Sequence, residues 1–230
     1  YGKLAINKLK KDNIDTSNII ISKKHKTGVA GIHVDRNTGK NAITVVRGAP
    51  ASLSVDEINT NIIKQSKIFL TQLEIPIDVT LYCLKKAKES GLVNILNPAP
   101  ACKLDKEFFS LADYFTPNEA EAEFYTGVKI NNENDAKESA KKLLELGLKK
   151  VIITLGEKGL FYSDGKEEIY IKALPFKKVE DTTGAGDAFN GGLAYALSKN
   201  KNIKECLNIA NQVAGLSTLK LGAGNSMPLL

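Results

Sequence analysis

Hydrophobic positions fall into two regimes along the chain, with the change near residue 50. Before it, apolar stretches are short. Leu4, Ala5 and Leu9 recur at helical spacing and mark the apolar side of an opening helix, which Asp12-Asn13-Ile14-Asp15-Thr16 breaks. Period-two stretches follow at residues 19–22, Val29–Val34 and residues 42–46. The turn-rich run Asp35-Arg36-Asn37-Thr38-Gly39-Lys40 predicts a hairpin between the last two. Residues 18–48 therefore predict a small antiparallel sheet.

From Ser54 onward, helical and strand periods alternate. Ser54-Val55-Asp56-Glu57 is a capping box and predicts a helix through about Lys64. Apolar strands are predicted at residues 68–73 (ending at Glu74), Val93–Leu96, Tyr114–Phe115 and residues 151–155. Between them fall helices at residues 78–90, closed by Gly91, at Glu119–Thr126, and at residues 136–146, stopped by Gly147. Leu160–Ser163 and Glu168–Ile171 flank Asp164-Gly165, a strong hairpin signal. A helix over residues 188–197 follows. Apolar positions 203, 206, 207, 210, 213 and 214 give one buried stripe on a helix over residues 203–219, and residues 222–228 read as a loop. This alternation predicts an α/β fold with a mostly parallel central sheet and helices on both faces. Ligands gather beyond the carboxyl ends of the strands in such sheets, and Glu74, Asn97, Asn118, Thr154 and Asp181 all fall at those ends.

The most chemically informative stretch runs from Val179 to Gly191. It opens extended, turns through Gly184, Ala185 and Gly186, and starts a helix. None of the three turn residues carries a bulky side chain, so backbone can approach a bound anion closely. The unpaired N–H groups and positive dipole end of the helix face the same spot. Asp187 stands at the mouth of that anion hole. A carboxylate there repels a phosphate unless its task is to accept a proton, the role of a base beside an attacking hydroxyl. The same pattern also arises structurally, since glycine-rich strand-to-helix turns are common and Asp is a favoured N-cap.

Composition narrows the classes of function. The chain has 230 residues, the length of one large or two small domains, with 43% hydrophobic and 25% charged residues as in ordinary globular proteins. No apolar run approaches the roughly 20 residues that span a bilayer, and no secretory signal opens the chain. The formal charge is +6, but the lysines are spread over predicted helix faces and there is no Trp, so a nucleic-acid partner is not expected. Cys83, Cys102 and Cys206 are far apart and odd in number, which fits a reducing cytoplasm and neither a disulfide framework nor a zinc site. His25 and His33 have no second ligand at metal-binding spacing and read as surface residues.

The string Asp181-Thr182-Thr183-Gly184-Ala185-Gly186-Asp187-Ala188-Phe189-Asn190-Gly191 closely resembles the C-terminal signature of the ribokinase family of carbohydrate kinases. The resemblance implies a kinase core at residues 1–17 and 49–230 with a small β-lid at residues 18–48. It implies phosphoryl transfer from ATP to the primary hydroxyl of D-ribose. Asp187 would take the proton, Gly184, Ala185 and Gly186 would hold the developing charge, and Mg2+ would bridge the phosphates. Thr116-Pro117-Asn118-Glu119-Ala120-Glu121 matches the family's T-P-N-E-x-E, so Asn118 and Glu121 inherit a place beside magnesium and the ATP phosphates. Thr154, Leu155, Gly156, Glu157, Lys158 and Gly159 resemble the nucleotide loop, Gly186 also lies on the nucleotide side, and Asn211 matches a position near adenine. Glu74 matches a residue that hydrogen-bonds the sugar. Asn97-Pro98-Ala99-Pro100-Ala101 favours a ribose-phosphorylating member over those acting on fructose or adenosine.

A monovalent cation, usually K+, is also implied, with matching positions at Asp181, Thr183, Ser217, Lys220, Gly222 and Ser226, several through backbone carbonyls. The expected partners are a small sugar and ATP, with no nucleic acid or membrane, and the resemblance leaves room for a homodimer formed through the lid. Another family kinase, acting on fructose, adenosine or 2-keto-3-deoxygluconate, and a non-catalytic nucleotide- or sugar-binding relative stand as alternatives. Family members begin with a sugar-binding strand and a G-G-K-G-A-N-type segment that do not occur in these residues, and the usual last helix is not seen either. Arg47-Gly48-Ala49-Pro50-Ala51 stands where the family has G-A-N-A. The resemblance therefore implies an incomplete sugar site, an upstream strand and lid segment in the natural protein, and poor solubility and no ribose phosphorylation for residues 1–230 alone.

Overall fold

The computed structural model describes residues 1–35, 41–176 and 178–228. In chain order the elements are α1 (Gly2–Lys11), β1 (Val29–Val34), β2 (Asn41–Val46), α2 (Thr60–Lys64), β3 (Ile68–Thr71), α3 (Ile77–Glu89), β4 (Val93–Leu96), α4 (Lys106–Leu111) and β5 (Tyr114–Phe115). They continue with α5 (Glu119–Thr126), α6 (Glu133–Glu145), β6 (Val151–Thr154), β7 (Leu160–Ser163), β8 (Glu168–Ile171), α7 (Ala185–Ser198), α8 (Ile203–Ser217) and α9 (Ala223–Ser226). Strands β3 to β8 form one sheet in sequence order. β3, β4, β5 and β6 pair in parallel, and β7 and β8 extend the sheet antiparallel.

The strand period of two sorts the core into two layers. Leu96, Phe115, Val151, Ile153 and Phe161 point to one face, where Leu84 of α3, Phe108 and Phe109 of α4, Ala122 of α5 and Leu143 of α6 cover them. Their neighbours Ile95, Tyr114, Ile152, Leu160 and Tyr162 point to the other face, against Phe189, Leu193 and Ala196 of α7 and Cys206, Leu207 and Ala210 of α8. Helices therefore cover both faces of a mixed, largely parallel sheet. Helices α7 and α8 approach closely at Gly192, where a Cβ would stand 3.0 Å from Cα of Ala210. Phe189, nearer the start of α7, lies in the same buried cluster as Ile95, Tyr114 and Ile152 and anchors that end of the helix on the sheet.

Several expectations need correction. Residues 19–22 form no strand, and among the described residues the small sheet consists of β1 and β2, paired antiparallel from Val29↔Val46 to Val34↔Asn41. The expected turn at residues 36–40 lies outside the described residues. The capping box at Ser54 and Glu57 forms, but it opens only the 3-10 turn Val55–Glu57. Ile58 is extended, and the side chain of Asn59 caps a fresh start at α2 by accepting from Asn61 N. Helix α4 was not expected, being too short to show a period. Helix α6 starts at Glu133 because Asn132 and Asp135 form a capping box. Helix α7 begins at Ala185 and not at residue 188, and α9 is a single helical turn inside the expected tail loop.

The apolar side of α1 is not buried: Leu4 is 71% exposed and no residue of the helix is buried. Val29, Ile32, Ile43, Val45 and Val46 of the small sheet are exposed as well. Alternation there predicted strands correctly, but no described element covers either face. His25 and His33 are exposed, as expected. Among the described residues, no helix is long and apolar enough to cross a membrane.

Candidate active site

The start of α7 is built by backbone conformation. Gly184 is the N-cap, in the left-handed region at φ 78°. A Cβ there would also lie 3.1 Å from Cβ of Ala223 and 3.2 Å from Cε of Met227, so only glycine fits both the angle and the space. Its carbonyl accepts from Ala188 N at 2.9 Å, while Ala185 N donates to the Thr182 carbonyl at 3.2 Å. The amides of Gly186 and Asp187 follow in the first turn and have no carbonyl partner within the helix, at its positive dipole end. Asp187 is the third helical residue and not the N-cap, so capping does not occupy its carboxylate. Its side chain reaches solvent, yet the protein around it displaces enough water that desolvation pushes its pKa above the ordinary carboxylate value.

Asp181, just before this turn, is 2% exposed. One carboxylate oxygen accepts from Thr183 N at 2.9 Å and the other from Gly222 N at 2.8 Å. Burial opposes ionisation, but these amides and the Thr183 hydroxyl outweigh it and hold the carboxyl below its usual range. The carbonyl of Thr218, next to buried Ser217, accepts from the amides of Glu180 and Asp181. Buried Ser226 donates to the carbonyl of Ala223, the residue that packs on Gly184. Thus Asp181, Thr183 and Gly222 are joined directly, Ser217 and Ser226 stand on the elements beside them, and Lys220 is exposed. Among the described residues no basic side chain pairs with Asp181, so it is a buried negative charge held only by neutral donors. That arrangement fits a monovalent cation.

The ends of β5 and β6 carry the next group. Thr154 N donates to the carbonyl of Pro117 at 2.9 Å, and Asn118 and Thr154 form an isolated parallel bridge. Asn118 Oδ1 accepts from Glu121 N at 2.8 Å and Glu121 Oε2 accepts from Asn118 N at 2.9 Å, a reciprocal capping box. The motif alone suggests a solvent-facing Glu. Glu121 is instead only 9% exposed, and desolvation pushes its pKa up to about 6 against the lowering effect of the Asn118 N–H.

A raised carboxyl pKa means that the folded state binds the proton more tightly than the unfolded chain. The contribution to stability is therefore full at acid pH and is lost as pH rises through 6. Glu121→Gln keeps an acceptor for Asn118 N and removes the buried charge. It should be more stable than the parent by up to about 2 kcal/mol near pH 8, with the gap closing toward pH 4.5. Denaturant unfolding across that range checks this, and a pH-independent difference would refute it. Among the described residues no group of three or more His, Cys, Asp or Glu could hold a metal ion alone. A divalent ion brought by a phosphate ligand needs only one or two protein carboxylates, and Glu121 suits that case.

Beyond β6, Leu155 is buried, Gly156, Glu157 and Lys158 make one 3-10 turn, and Leu155 N donates to Gly159 O at 2.8 Å. A Cβ on Gly159 would come 1.9 Å from the carbonyl oxygen of Ile171. The side chain of Asn211 donates to Lys172 O at 2.9 Å, and Tyr170 Oη donates to Lys158 O at 2.8 Å. The expected nucleotide loop and Asn211 thus meet through residues 171–173, a connection with no local signal in the sequence. Phe176, also unanticipated, packs on Gly215 of α8. Glu74 lies exposed just beyond the end of β3. Asn97, at the end of β4, donates its side-chain amide to Thr116 O at 2.7 Å, and Leu73 N donates to Ala99 O, so the N-P-A-P-A segment shapes the loop.

The model of the pfkB family carbohydrate kinases matches residues 1–230. A ribokinase of Staphylococcus aureus is 37% identical over 221 residues, covering 95% of this chain and 72% of that protein. A ribokinase of Haemophilus influenzae is 38% identical over 229 residues, covering 99% of this chain and 74% of that protein. The crystal structure of Thermotoga maritima ribokinase superimposes with a TM-score of 0.86 at 37% identity, over 99% of this chain and 74% of that one. Arabidopsis thaliana ribokinase complexed with ribose and ATP superimposes with a TM-score of 0.79 at 32% identity, over 89% and 67%. With its glycine-capped helix start, exposed Asp187 and a family match from end to end, the chain belongs to the pfkB family of carbohydrate kinases.

Proposed function

We propose that the protein transfers the terminal phosphoryl group of ATP to the primary hydroxyl of D-ribose, giving ribose 5-phosphate. The observation that carries this reading is Asp187 in the first turn of α7, not used as a cap and flanked by amides that lack helical partners. Similarity to ribokinases at 37% and 38% identity, and to a structure holding ribose and ATP, supports ribose as the acceptor. Asp187 accepts the proton of the attacking hydroxyl. The amides of the turn formed by Gly184, Ala185 and Gly186 face the charge that develops on the transferring group. Residues 154–159 and Asn211 hold the nucleotide, and Glu74 holds the sugar. Mg2+, bound with the nucleotide beside Asn118 and Glu121, would neutralise phosphate charge. K+ would be held by Asp181 with Thr183, Ser217, Lys220, Gly222 and Ser226, several through their carbonyls.

Residues 18–48 act as a lid over the core at residues 1–17 and 49–230, and their exposed valines and isoleucines suit a homodimer formed there. The free cysteines fit the cytoplasm. Assaying the full-length protein with ATP and ribose, fructose, adenosine or 2-keto-3-deoxygluconate tests the reading. Ribose should be preferred by at least about tenfold in kcat/KM, since a site built to hydrogen-bond one set of hydroxyls penalises acceptors that leave its polar groups unpaired. Equal or greater efficiency on another acceptor would replace ribose, and no turnover on any would leave a binding protein.

A further inference from the structure

Thr116 and Asn190 lie 74 residues apart and touch beneath the start of α7, and neither belongs to the groups assigned above. Both are buried, at 1% and 3% exposed. Asn190 Nδ2 donates to the carbonyl of Gly186 at 2.9 Å, and that carbonyl can only accept, which fixes the orientation of the amide. Asn190 Oδ1 must then accept from the Thr116 hydroxyl, at 2.8 Å. Thr116 is itself tied on both sides. Its carbonyl accepts from Asn97 Nδ2 at 2.7 Å, and its N–H donates to Leu96 O at 3.1 Å. A continuous set of hydrogen bonds therefore runs from the end of β4, through the residue before Pro117-Asn118, to the peptide between Gly186 and Asp187. The carbonyl of Gly186 and the N–H of Asp187 belong to the same planar peptide unit. Holding one sets the direction of the other, and a hydrogen bond to the carbonyl polarises the amide on its far side.

We infer that Thr116 and Asn190 are positioning residues: through the Gly186 carbonyl they aim the Asp187 amide and keep the anion-binding turn in register with the Asn118–Glu121 cap. The inference rests on the kinase reading above for its catalytic consequence, but not for its structural one. Thr116→Val is nearly isosteric and removes only the hydroxyl. It should lower kcat by about 10- to 100-fold, the scale of a misdirected transition-state donor. KM for sugar and the affinity for ADP should stay within about threefold, because neither residue contacts a ligand in this scheme. Thr116→Ser restores the hydroxyl and should recover most of kcat.

Hydrogen exchange read by mass spectrometry supplies an arm independent of turnover. In Thr116→Val, peptides spanning residues 182–190 should exchange faster, while those spanning residues 160–171 should not change. Since Thr116 acts through Asn190, adding Thr116→Val to Asn190→Ala should produce no further loss. A Thr116→Val kcat within twofold of the parent overturns the inference, as does failure of Thr116→Ser to recover. Uniformly faster exchange, or additive losses in the double variant, would show a general stability effect and overturn it equally. If the parent protein phosphorylates no sugar, the kinase reading fails, and the exchange and double-variant arms, with the exchange rate of residues 182–190 read in place of kcat, still decide whether these residues order the turn.

Discussion

Asp187→Asn is expected to lower turnover by about two or more orders of magnitude, the loss typical of a missing general base. The substitution preserves size and leaves the backbone of α7 untouched, so it tests the chemistry of the carboxylate and little else. An amide cannot take the proton of the sugar hydroxyl. Nucleotide affinity should not fall. The carboxylate stands in the same first turn as the anion-facing amides, so neutralising it removes a repulsion, and ADP should bind equally well or more tightly. Desolvation raises the Asp187 pKa, and the base must be ionised to act. In the parent enzyme kcat should therefore decline on acidification at a pH above the ordinary carboxylate range, and the residual activity of the variant should lack that limb. Steady-state kinetics across pH, with calorimetric ADP binding, checks all three expectations. Near-normal kcat in Asp187→Asn would dismiss it as the base.

Where secondary structure depends on neighbours in sequence, the chain was readable. Short apolar runs alternating with helical segments correctly predicted a largely parallel sheet covered by helices on both faces, because residues on either side of each strand have a helix to meet. The helix at Glu119–Thr126, the glycine turn at 184 and the Asp164-Gly165 hairpin were readable for the same local reason. What escaped depends on contacts between distant segments. The burial of Glu121, which separates an ordinary helix cap from a carboxylate with a raised pKa, follows from packing that no four-residue motif encodes. Lys172 reaches Asn211, and Thr116 reaches Asn190, across 39 and 74 residues. Neither pair leaves a periodic trace. The small sheet fails in the opposite way, since its alternation is clear but neither face finds a described partner, so pattern could not predict burial.

Replacing K+ by a bulky organic cation at constant ionic strength should lower turnover by roughly tenfold, the scale on which loosening a catalytic turn acts. Asp181 is a buried carboxylate whose oxygens receive the amides of Thr183 and Gly222 and no basic side chain among the described residues. The two amides and the Thr183 hydroxyl outweigh its desolvation, so Asp181 stays ionised, a buried negative charge that none of these neutral donors cancels. A monovalent cation among nearby carbonyls would balance that charge, and would thereby stiffen residues 181–186, which lead into the anion-binding turn. Asp181→Asn keeps the volume and an acceptor but removes the charge, so it should fold and lose most of the K+ response. Asp181→Ala should lose the response as well. It also leaves two buried amides without their acceptor, at about 1–3 kcal/mol each before relaxation, lowering Tm by about 2–4 °C per kcal/mol. Although burial opposes ionisation, the hydrogen bonds keep the Asp181 pKa low, so the K+ response should be flat from about pH 6 to pH 8. Identical rates in the two salts for the parent protein, or an undiminished response in Asp181→Asn, would count decisively against a cation at this position.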